Sequence, residues 1–256
     1  MQQQALCLQA FLRENPRVAL AFSGGVDSSY LLHAGRHYGA DIRPYYVKTA
    51  FQPQFELDDA LRLAAQLGTT LTVVRHNILS VPDVATNPAN RCYYCKSALF
   101  GLLRERAAVD GYSVLIDGTN ASDDAGDRPG MRALQELSVR SPLRECGITK
   151  SEVRRLSKEA GLSTWDKPAY ACLATRIPTG VPIAAELLSR VERAEDDLFE
   201  MGFTDFRVRL LGQAARLELA PAQMHAALTL REAIVKALTP DFSAVLLDMA
   251  GRQPKE

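Results

Sequence analysis

The stretch from Val18 to Leu32 constrains the fold most, because its hydrophobic pattern changes from that of a strand to that of a helix. Residues 18–22 form a short apolar run, typical of a strand buried on both faces. Gly24 and Gly25 follow, and apolar residues then recur at helical spacing. A strand that turns through glycines into a helix presents backbone N–H groups at the positive helix end, where phosphate binds. The stretch therefore predicts a phosphate-binding loop.

The spacing within this loop differs from that of the commonest nucleotide motifs. It has neither the lysine of a Walker A loop nor the G-x-G-x-x-G of a dinucleotide fingerprint. Residues 23–28 read S-G-G-V-D-S, which resembles the PP-loop of the ATP pyrophosphatase superfamily. The resemblance implies that the chain binds ATP and transfers AMP to a carbonyl or carboxyl oxygen with release of pyrophosphate.

Strand and helix patterns alternate after the loop. Further strands are predicted at 42–47, 71–74 and 113–116, with helical patterns between them. This alternation predicts an α/β fold with a doubly wound parallel sheet, whose ligands bind at the carboxyl ends of the strands. We therefore expect one ATP crevice formed by Ser23, Gly24, Gly25, Asp27, Ser28, Lys48, Gly118 and Thr119.

Two local patterns follow the fourth strand. The polar segment 121–131 contains Gly and Pro and is predicted to be a loop, either over the crevice or on the solvated surface. Thr149 and Glu152 form a capping-box pattern, which predicts a helix that ends near Gly161.

The character of the chain changes beyond Pro182. A helical stripe covers 187–199, and two alternating strands at 206–210 and 215–219 flank Gly212. A helix at 222–238 and a strand at 244–247 complete the pattern. We therefore expect an ATP-binding domain at 1–180 and a small α+β domain at 181–256, which serves substrate-phosphate binding or oligomerisation.

Bulk composition limits the classes of partner and the cellular location that the sequence predicts. Thirty basic residues balance thirty acidic ones, which argues against a nucleic-acid partner. No apolar run is long enough to span a membrane, and the N-terminus does not resemble a signal peptide. Five cysteines, an odd number at irregular spacing, argue against a disulfide framework and for a reducing, cytoplasmic location.

Cys92 and Cys95 form a C-x-x-C pair, which alone is a weak signal. It is compatible with half of a zinc site, a redox pair or part of a cluster site. Cys7, Cys146 and Cys172 are isolated in sequence, so a second pair for structural zinc is missing. Two thiolates and one remote cysteine could instead bind three irons of a [4Fe–4S] cluster.

Cys172 lies in a stretch rich in proline that also contains Lys167 and Arg176. The two cations would favour the thiolate, the nucleophilic form of cysteine. A lone cysteine is more often a buried space-filling residue, but the loop context favours a chemical role.

Taken together, these strings resemble the LarE family of ATP-dependent sulfur transferases, which make the nickel-pincer nucleotide cofactor of lactate racemase. The resemblance covers nearly the whole chain. It includes the loop at 23–28, N-x-x-x-R-C-Y-Y-C-K at 87–96, D-G-T-N-A at 117–121, D-R-P-G-M at 127–131, S-P-L-R-E at 141–145, K-P-A-Y-A-C-L-A-T-R-I-P at 167–178 and R-V-R at 207–209.

The family resemblance implies a reaction. ATP would adenylate a carboxylate of a pyridinium biscarboxylate mononucleotide, and sulfur would then displace AMP to leave a thiocarboxylate. In family members with a single cysteine, the residue matching Cys172 gives up its own sulfur and is consumed. In the variant with C-x-x-C, Cys92, Cys95 and Cys172 would bind a [4Fe–4S] cluster that carries an extra sulfide.

The resemblance also implies cofactors and further site residues. Mg²⁺ would accompany ATP, with Asp27 or an acidic residue of 123–127 as its partner. Arg207 and Arg209 would hold the substrate phosphate, since alternation places both on one strand face. Partners would be a small nucleotide substrate, a sulfide donor and further copies of the chain in a homo-oligomer.

Two other functions compete with this one. A PP-loop tRNA thiolase also combines the loop with a C-x-x-C pair and a third cysteine, but zero net charge counts against RNA binding. A nucleotide-binding regulatory module without turnover is the second, and the presence of Asp27, Cys172 and both arginines counts against it.

Overall fold

The computed structural model describes residues 2–123 and 129–252. Within them the helices are α1 (Gln2–Glu14), α2 (Val26–His37), α3 (Gln54–Gln66), α4 (Pro82–Ala85), α5 (Arg91–Val109), α6 (Pro129–Glu136), α7 (Pro142–Glu145), α8 (Lys150–Glu159), α9 (Ala185–Glu200), α10 (Met224–Thr229) and α11 (Arg231–Leu238). The strands are β1 (Arg17–Ala21), β2 (Asp41–Lys48), β3 (Thr72–Arg75), β4 (Val114–Ile116), β5 (Arg207–Leu211), β6 (Ala214–Glu218) and β7 (Val245–Leu247).

The first four strands form a parallel sheet in the order β3-β2-β1-β4. Residues of β1 alternate between two apolar layers. Val18 and Leu20 pack with α2 and α3 on one face, whereas Ala19 packs with Leu103 of α5 on the other. Helices therefore cover both faces of the sheet, and the predicted α/β, doubly wound fold is confirmed.

Contacts divide the chain into two compact units. The first contains residues up to Ile78 and Asn90–Ala169, and the second contains Leu79–Ala89 and the chain from Tyr170 onward. The division therefore differs from the expected boundary at 180. Residues 79–89 belong to the second unit because Asn87 Nδ2 donates to the carbonyls of Pro178 and Val181, at 2.9 and 3.0 Å. These bonds join two segments that are far apart in sequence.

The second unit contains the small α+β arrangement that the sequence predicts. β5 and β6 form an antiparallel hairpin around Gly212, and β7 pairs in parallel with β6. Leu188, Val191 and Leu198 give α9 its buried face.

The single helix predicted at 222–238 was wrong. A 3-10 turn precedes α10, and Leu230 separates α10 from α11. Thr229 Oγ1 donates to the carbonyl of His225 at 3.1 Å, a local bond that competes with regular helix geometry. The break follows this bond directly.

The segment 121–131 departs partly from the loop prediction. Pro129 begins α6, because proline at the first helical position loses no hydrogen bond there. Residues 124–128, which include the acidic candidates Asp124 and Asp127, lie outside the described residues.

Cys7 and Cys146, expected to be isolated, form a disulfide with their Cα atoms 5.6 Å apart. They are 139 residues apart in sequence, and their pairing follows from the packing of α1 against α7. Among the helices of the described residues, none has both the length and the hydropathy that crossing a bilayer requires.

Candidate active site

The phosphate loop has the backbone that the sequence predicts. Gly24 adopts φ +71°, and a Cβ there would lie 3.2 Å from the Cα of Ala60 on α3. Gly25 is the N-cap of α2 and provides no side-chain cap. The N–H groups of the first turn of α2 therefore remain for an external anion, at the positive end of the helix dipole.

Serine hydroxyls hold the loop in this shape. Ser23 Oγ accepts from the Gly25 N–H at 3.3 Å and lies 3.2 Å from Ser28 Oγ. Ser28 Oγ also donates to the Gly25 carbonyl at 3.2 Å, and Ser28 is buried. Both hydroxyls thus stabilise the loop before any ligand binds.

Asp27 lies in the first turn of α2, where the helix dipole favours a carboxylate. One of its oxygens forms an ion pair with Lys150, and the other accepts from Asn120 Nδ2 at 3.2 Å. Sequence reasoning missed Lys150. The available signal was its position directly after the capping residue Thr149, since a cation in the first turn of a helix opposes the helix dipole.

The turn after β4 packs directly on the loop. A Cβ at Gly118 would lie 3.1 Å from Asp27 Cβ and from the Ser28 nitrogen, so only glycine fits without a shift. Next to it, buried Asp117 accepts from Thr119 Oγ1 at 2.5 Å and from Ser141 Oγ at 2.6 Å. These bonds hold the turn in shape and join it to Ser141, the N-cap residue of α7.

A cavity of about 600 Å³ opens between the loop, the β4 turn and α5. Its lining combines polar groups of the loop with an apolar part and with one thiol. The lining residues are Ala21, Ser23, Asp27, Ser28, Cys92, Lys96, Phe100, Asp117, Gly118, Thr119, Asp123, Pro129, Gly130 and Met131. The structure thus brings together five of the eight predicted ATP residues and one of the predicted cysteines.

Lys48, a predicted ATP residue, is not among the residues that line this cavity. Its ammonium group donates to the carbonyl of Gln52, in the turn that follows β2. Gly24 instead borders a second cavity of about 410 Å³, on the α3 side of the loop. Lys167 and Asp59 also line this second cavity and form an ion pair at 2.8 Å.

The C-x-x-C pair lies at the start of α5, with Cys92 in its first turn and Cys95 three residues further on. Residues three apart on a helix share a face, and the helix N-terminus favours thiolates. Neither cysteine is disulfide-bonded; Cys92 is exposed and Cys95 is half-buried. Lys96, one turn after Cys92, lines the same cavity and adds positive charge to it.

Cys172 lies in the second unit, as the N-cap of a 3-10 turn at Leu173–Arg176. It is half-buried and not disulfide-bonded, and its carbonyl accepts from the Thr175 N–H at 2.9 Å. The turn is anchored by fully buried Arg176, which donates to both oxygens of Glu195 at 2.8 and 3.0 Å. Burial alone would lower the Arg176 pKa, but Glu195 outweighs it and the pKa is raised.

Arg207 and Arg209 lie on one face of β5, as the alternation predicts. Both reach the Cys172 segment. Arg207 stacks its guanidinium 5.1 Å from the ring centre of Tyr170, and Arg209 Nη1 donates to the Thr175 carbonyl. Arg209 also pairs with Glu218 at 2.7 Å. Burial, with a smaller contribution from the charges of Arg176 and Arg252, lowers the Arg207 pKa to about 10.

The predicted Mg²⁺ ion and [4Fe–4S] cluster need different ligands from the chain. In the part of the chain that the structure describes, no group of three or more His, Cys, Asp or Glu side chains is arranged to hold a metal ion. Mg²⁺ with ATP fits this finding, since it takes most of its ligands from phosphate and water and needs only one or two carboxylates. Asp27 faces the cavity and meets that need. For a [4Fe–4S] cluster, Cys92 and Cys95 provide two suitably spaced thiols on one helix turn.

The fold and the loop together define a class. The chain is an α/β protein of the PP-loop type, with the S-G-G-V-D-S loop between the central strand β1 and helix α2. It is 26% identical over 171 residues to one subunit of the glutamine-hydrolyzing GMP synthase of Methanosphaerula palustris, a match that covers 62% of this chain and 55% of that protein. Comparison with models of known protein families gives no match.

Two relatives extend along almost the whole chain. An uncharacterised protein of Synechocystis sp. is 39% identical over 252 residues, 96% of this chain and 93% of its own. Pyridinium-3,5-bisthiocarboxylic acid mononucleotide synthase of Lactiplantibacillus plantarum is 32% identical over 247 residues, 95% of this chain and 90% of its own. The chain belongs to the family of that synthase, the LarE family.

Proposed function

We propose that this protein is an ATP-dependent sulfur transferase that acts on pyridinium-3,5-biscarboxylic acid mononucleotide. A carboxylate oxygen of the substrate would attack the α-phosphate of ATP, which forms an acyl adenylate and releases pyrophosphate. Sulfide would then attack the acyl carbon, AMP would leave, and a thiocarboxylate would remain. The bisthiocarboxylic acid named for the Lactiplantibacillus relative is the product of two such steps.

One observation carries the proposal: Cys92 and the phosphate loop line the same cavity. A sulfur transferase must bring a sulfur-bearing group to the carboxylate that ATP has activated. A cysteine beside a phosphate-binding helix N-terminus supplies both requirements in one space. Nucleotide binding by itself gives no reason for an exposed thiol at that place.

The chain's own groups account for the activation step. The N–H groups of α2 would bind phosphate oxygens, where they stabilise the charge on departing pyrophosphate. Lys150 would transfer from Asp27 to the phosphates, which would free the Asp27 carboxylate for Mg²⁺. Mg²⁺ would neutralise charge on the phosphates when bound.

The sulfur step depends on the cysteines. Cys92 and Cys95, with Cys172 of the second unit, would bind the [4Fe–4S] cluster, which when bound would supply the transferred sulfide. Sulfide would have to be delivered by a separate donor. In the alternative route, Cys172 itself would attack the acyl adenylate and lose its sulfur. The two routes differ in whether Cys172 survives turnover.

Arg207 and Arg209 are proposed to hold the substrate phosphate. Guanidinium groups bind phosphate in two-point fashion, and both side chains meet the segment that carries Cys172. A charge that burial disfavours, as at Arg207, is stabilised when a phosphate dianion binds beside it. The arginines would thus place the substrate near the Cys172 turn.

The direct test is anaerobic incubation with ATP, Mg²⁺ and the biscarboxylate mononucleotide, with pyrophosphate measured as released. We expect release that depends on the mononucleotide and falls at least about 100-fold in Ser28→Ala, since the loop loses its shape and an oxyanion donor. Ser97→Ala, on α5 but not among the cavity residues, is the control. Pyrophosphate release with tRNA as the acceptor, or none with any acceptor, would contradict the proposal in favour of a thiolase or a regulatory module.

A further inference from the structure

The Cys7–Cys146 disulfide lies next to the segment that carries Lys150 to the phosphate loop. Cys146 follows α7 as its C-cap residue, and Lys150 begins α8 four residues later. Cys7 belongs to α1, so the disulfide fixes this segment to a helix that is distant in sequence. We call residues 146–150 the anchor segment.

Further bonds from α1 tighten the same region. Gln4 Nε2 donates to the Gly147 carbonyl at 2.9 Å and to Glu152 Oε2 at 3.3 Å. Glu152 completes the capping box with Thr149, the residue before Lys150. One turn of α1 thus contacts the anchor segment through both a covalent bond and hydrogen bonds.

The other side of the anchor segment faces the site. The Ile148 carbonyl accepts from the Ala121 N–H at 2.8 Å, and the Lys150 N–H donates to Ser122 Oγ at 3.0 Å. The Lys150 side chain then forms the ion pair with Asp27. A continuous set of bonds therefore leads from the disulfide to the carboxylate in the phosphate loop.

We propose that the Cys7–Cys146 disulfide is a redox-sensitive clamp, which holds the anchor segment and sets the affinity of the phosphate loop through Lys150. Thiol–disulfide exchange with a dithiol would break the S–S bond, give two protein thiols and leave the dithiol oxidised. Cys7 is exposed, so an attacking thiolate can reach its sulfur. Reduction would leave the anchor segment held by hydrogen bonds and by the core packing of Ile148, without the covalent link to α1, and Lys150 would be positioned less firmly.

The test compares the oxidised protein with protein reduced by dithiothreitol. Hydrogen exchange is measured in peptides that cover 146–152, and the dissociation constant of ATP is measured by calorimetry. We expect faster exchange in these peptides and at least about fivefold weaker ATP binding on reduction, the lower range of coupling between sites. Cys7→Ser should behave as the reduced protein with or without dithiothreitol, since its Cys146 thiol keeps the buried position filled.

Lys150→Ala separates the two parts of the proposal. It should remove the redox dependence of ATP affinity while the redox dependence of exchange remains. Equal exchange and equal affinity in the two states of the wild-type chain would overturn the clamp, as would two alkylatable thiols at Cys7 and Cys146 that oxidised glutathione does not join. The effect on ATP rests on the proposed function. A chain that binds ATP in neither state would contradict that function, and hydrogen exchange would still decide the clamp.

Discussion

At the residue scale, the proposed ATP site depends on the ion pair between Lys150 and Asp27. Lys150 neutralises Asp27 at the very place where phosphate is expected, so this carboxylate does not repel the ligand. Asp27 lines the cavity, and the side chains of Lys150 and Asp27 are 30% and 20% exposed. Such a cation can exchange its carboxylate partner for a phosphate oxygen without burial of a new charge.

Lys150→Ala should lower kcat/KM for ATP-dependent pyrophosphate release by about 100-fold, the usual effect of losing one electrostatic stabiliser of departing charge. Lys150→Arg should retain part of the activity, because it keeps the charge. Lys158→Ala makes the same change of charge on the same helix, at a side chain that contacts the ring of Trp165, and should leave kcat/KM unchanged. Equal losses in Lys150→Ala and Lys158→Ala would show a general effect of charge instead of a contact with phosphate.

We expect Arg207 to contribute to substrate binding while its buried charge lowers the stability of the folded protein. Its folded pKa of about 10 lies below the ordinary value of arginine, so the unfolded chain binds the proton more tightly than the native one. The penalty for the charge is full below about pH 10 and fades as pH rises above that value. Arg207→Met should therefore be at least as stable as wild type at pH 7 in urea denaturation, and this advantage should shrink above pH 10.

Arg207→Met should also lose the thermal stabilisation that substrate binding gives to the wild-type protein. The biscarboxylate mononucleotide should raise the melting temperature of wild type, as binding to the native state requires, but not that of Arg207→Met. Val208→Ala, at the adjacent buried position, is the stability control: it should be less stable and still respond to the ligand. A full response in Arg207→Met would remove Arg207 from the phosphate site.

Some of these residues could be predicted from the sequence and others could not. The loop residues Ser23 to Ser28 could be predicted, since their chemistry and spacing are contiguous. The pairing of Lys150 with Asp27 could not be predicted, because the two residues lie 123 positions apart and only the packing of α2 with α8 brings them together. The Cys7–Cys146 disulfide escaped prediction for the same reason.

Among the elements, the start of α8 couples helix stability to the site. The Thr149 hydroxyl and the Glu152 carboxylate satisfy each other's backbone N–H groups in a complete capping box, as predicted from the sequence. Hydrogen bonds from the Thr149 backbone and then its hydroxyl hold the pKa of Glu152 below its ordinary value. The capping residue Thr149 directly precedes Lys150, whose ammonium group pairs with Asp27.

Thr149→Ala should cost about 1 kcal/mol of unfolding free energy, a typical loss for an N-cap, and should weaken ATP binding as well. Thr149→Ser keeps the hydroxyl and should restore both. Chemical denaturation and calorimetry measure the two effects. A loss of stability with unchanged ATP affinity would separate the cap from the site.

The capping box also predicts a pH dependence. Because the folded pKa of Glu152 is depressed, its contribution is present above the unfolded value of about 4.5 and is lost as pH falls through the folded pKa. The stability difference between wild type and Glu152→Gln should therefore shrink between pH 6 and pH 3. A constant difference over that range would mean that the Glu152 charge contributes nothing.

Elements with a strong periodic pattern were predictable, and those set by local competition were not. The four parallel strands and α8 follow from hydrophobic pattern and capping residues. The break at Leu230 comes one residue after the Thr229 hydroxyl bond, and α6 begins at a proline inside a polar segment, so neither feature belongs to a periodic pattern. The placement of Cys92 in the first turn of α5 needed the structure, although it gives the pair its shared face.

At the scale of the whole molecule, the chain distributes its chemistry between two compact units. The first contains the phosphate loop and the C-x-x-C pair, and the second contains Cys172 and the two arginines. Sequence motifs were enough to propose both sets of residues. Composition was not enough to predict the boundary between the units, because residues 79–89 belong with the second unit.

The reaction that we propose is ATP-dependent transfer of sulfur to the mononucleotide with Cys172 preserved. It is tested most directly by mass spectrometry of both the product and the intact protein, after anaerobic incubation with ATP, Mg²⁺, the biscarboxylate mononucleotide and sulfide. We expect several thiocarboxylate groups per chain, one AMP for each, and unchanged mass at Cys172. Loss of one H₂S from Cys172 with at most one thiocarboxylate per chain would instead show that the residue is consumed, and no thiocarboxylate from a chain that binds ATP would contradict sulfur transfer itself.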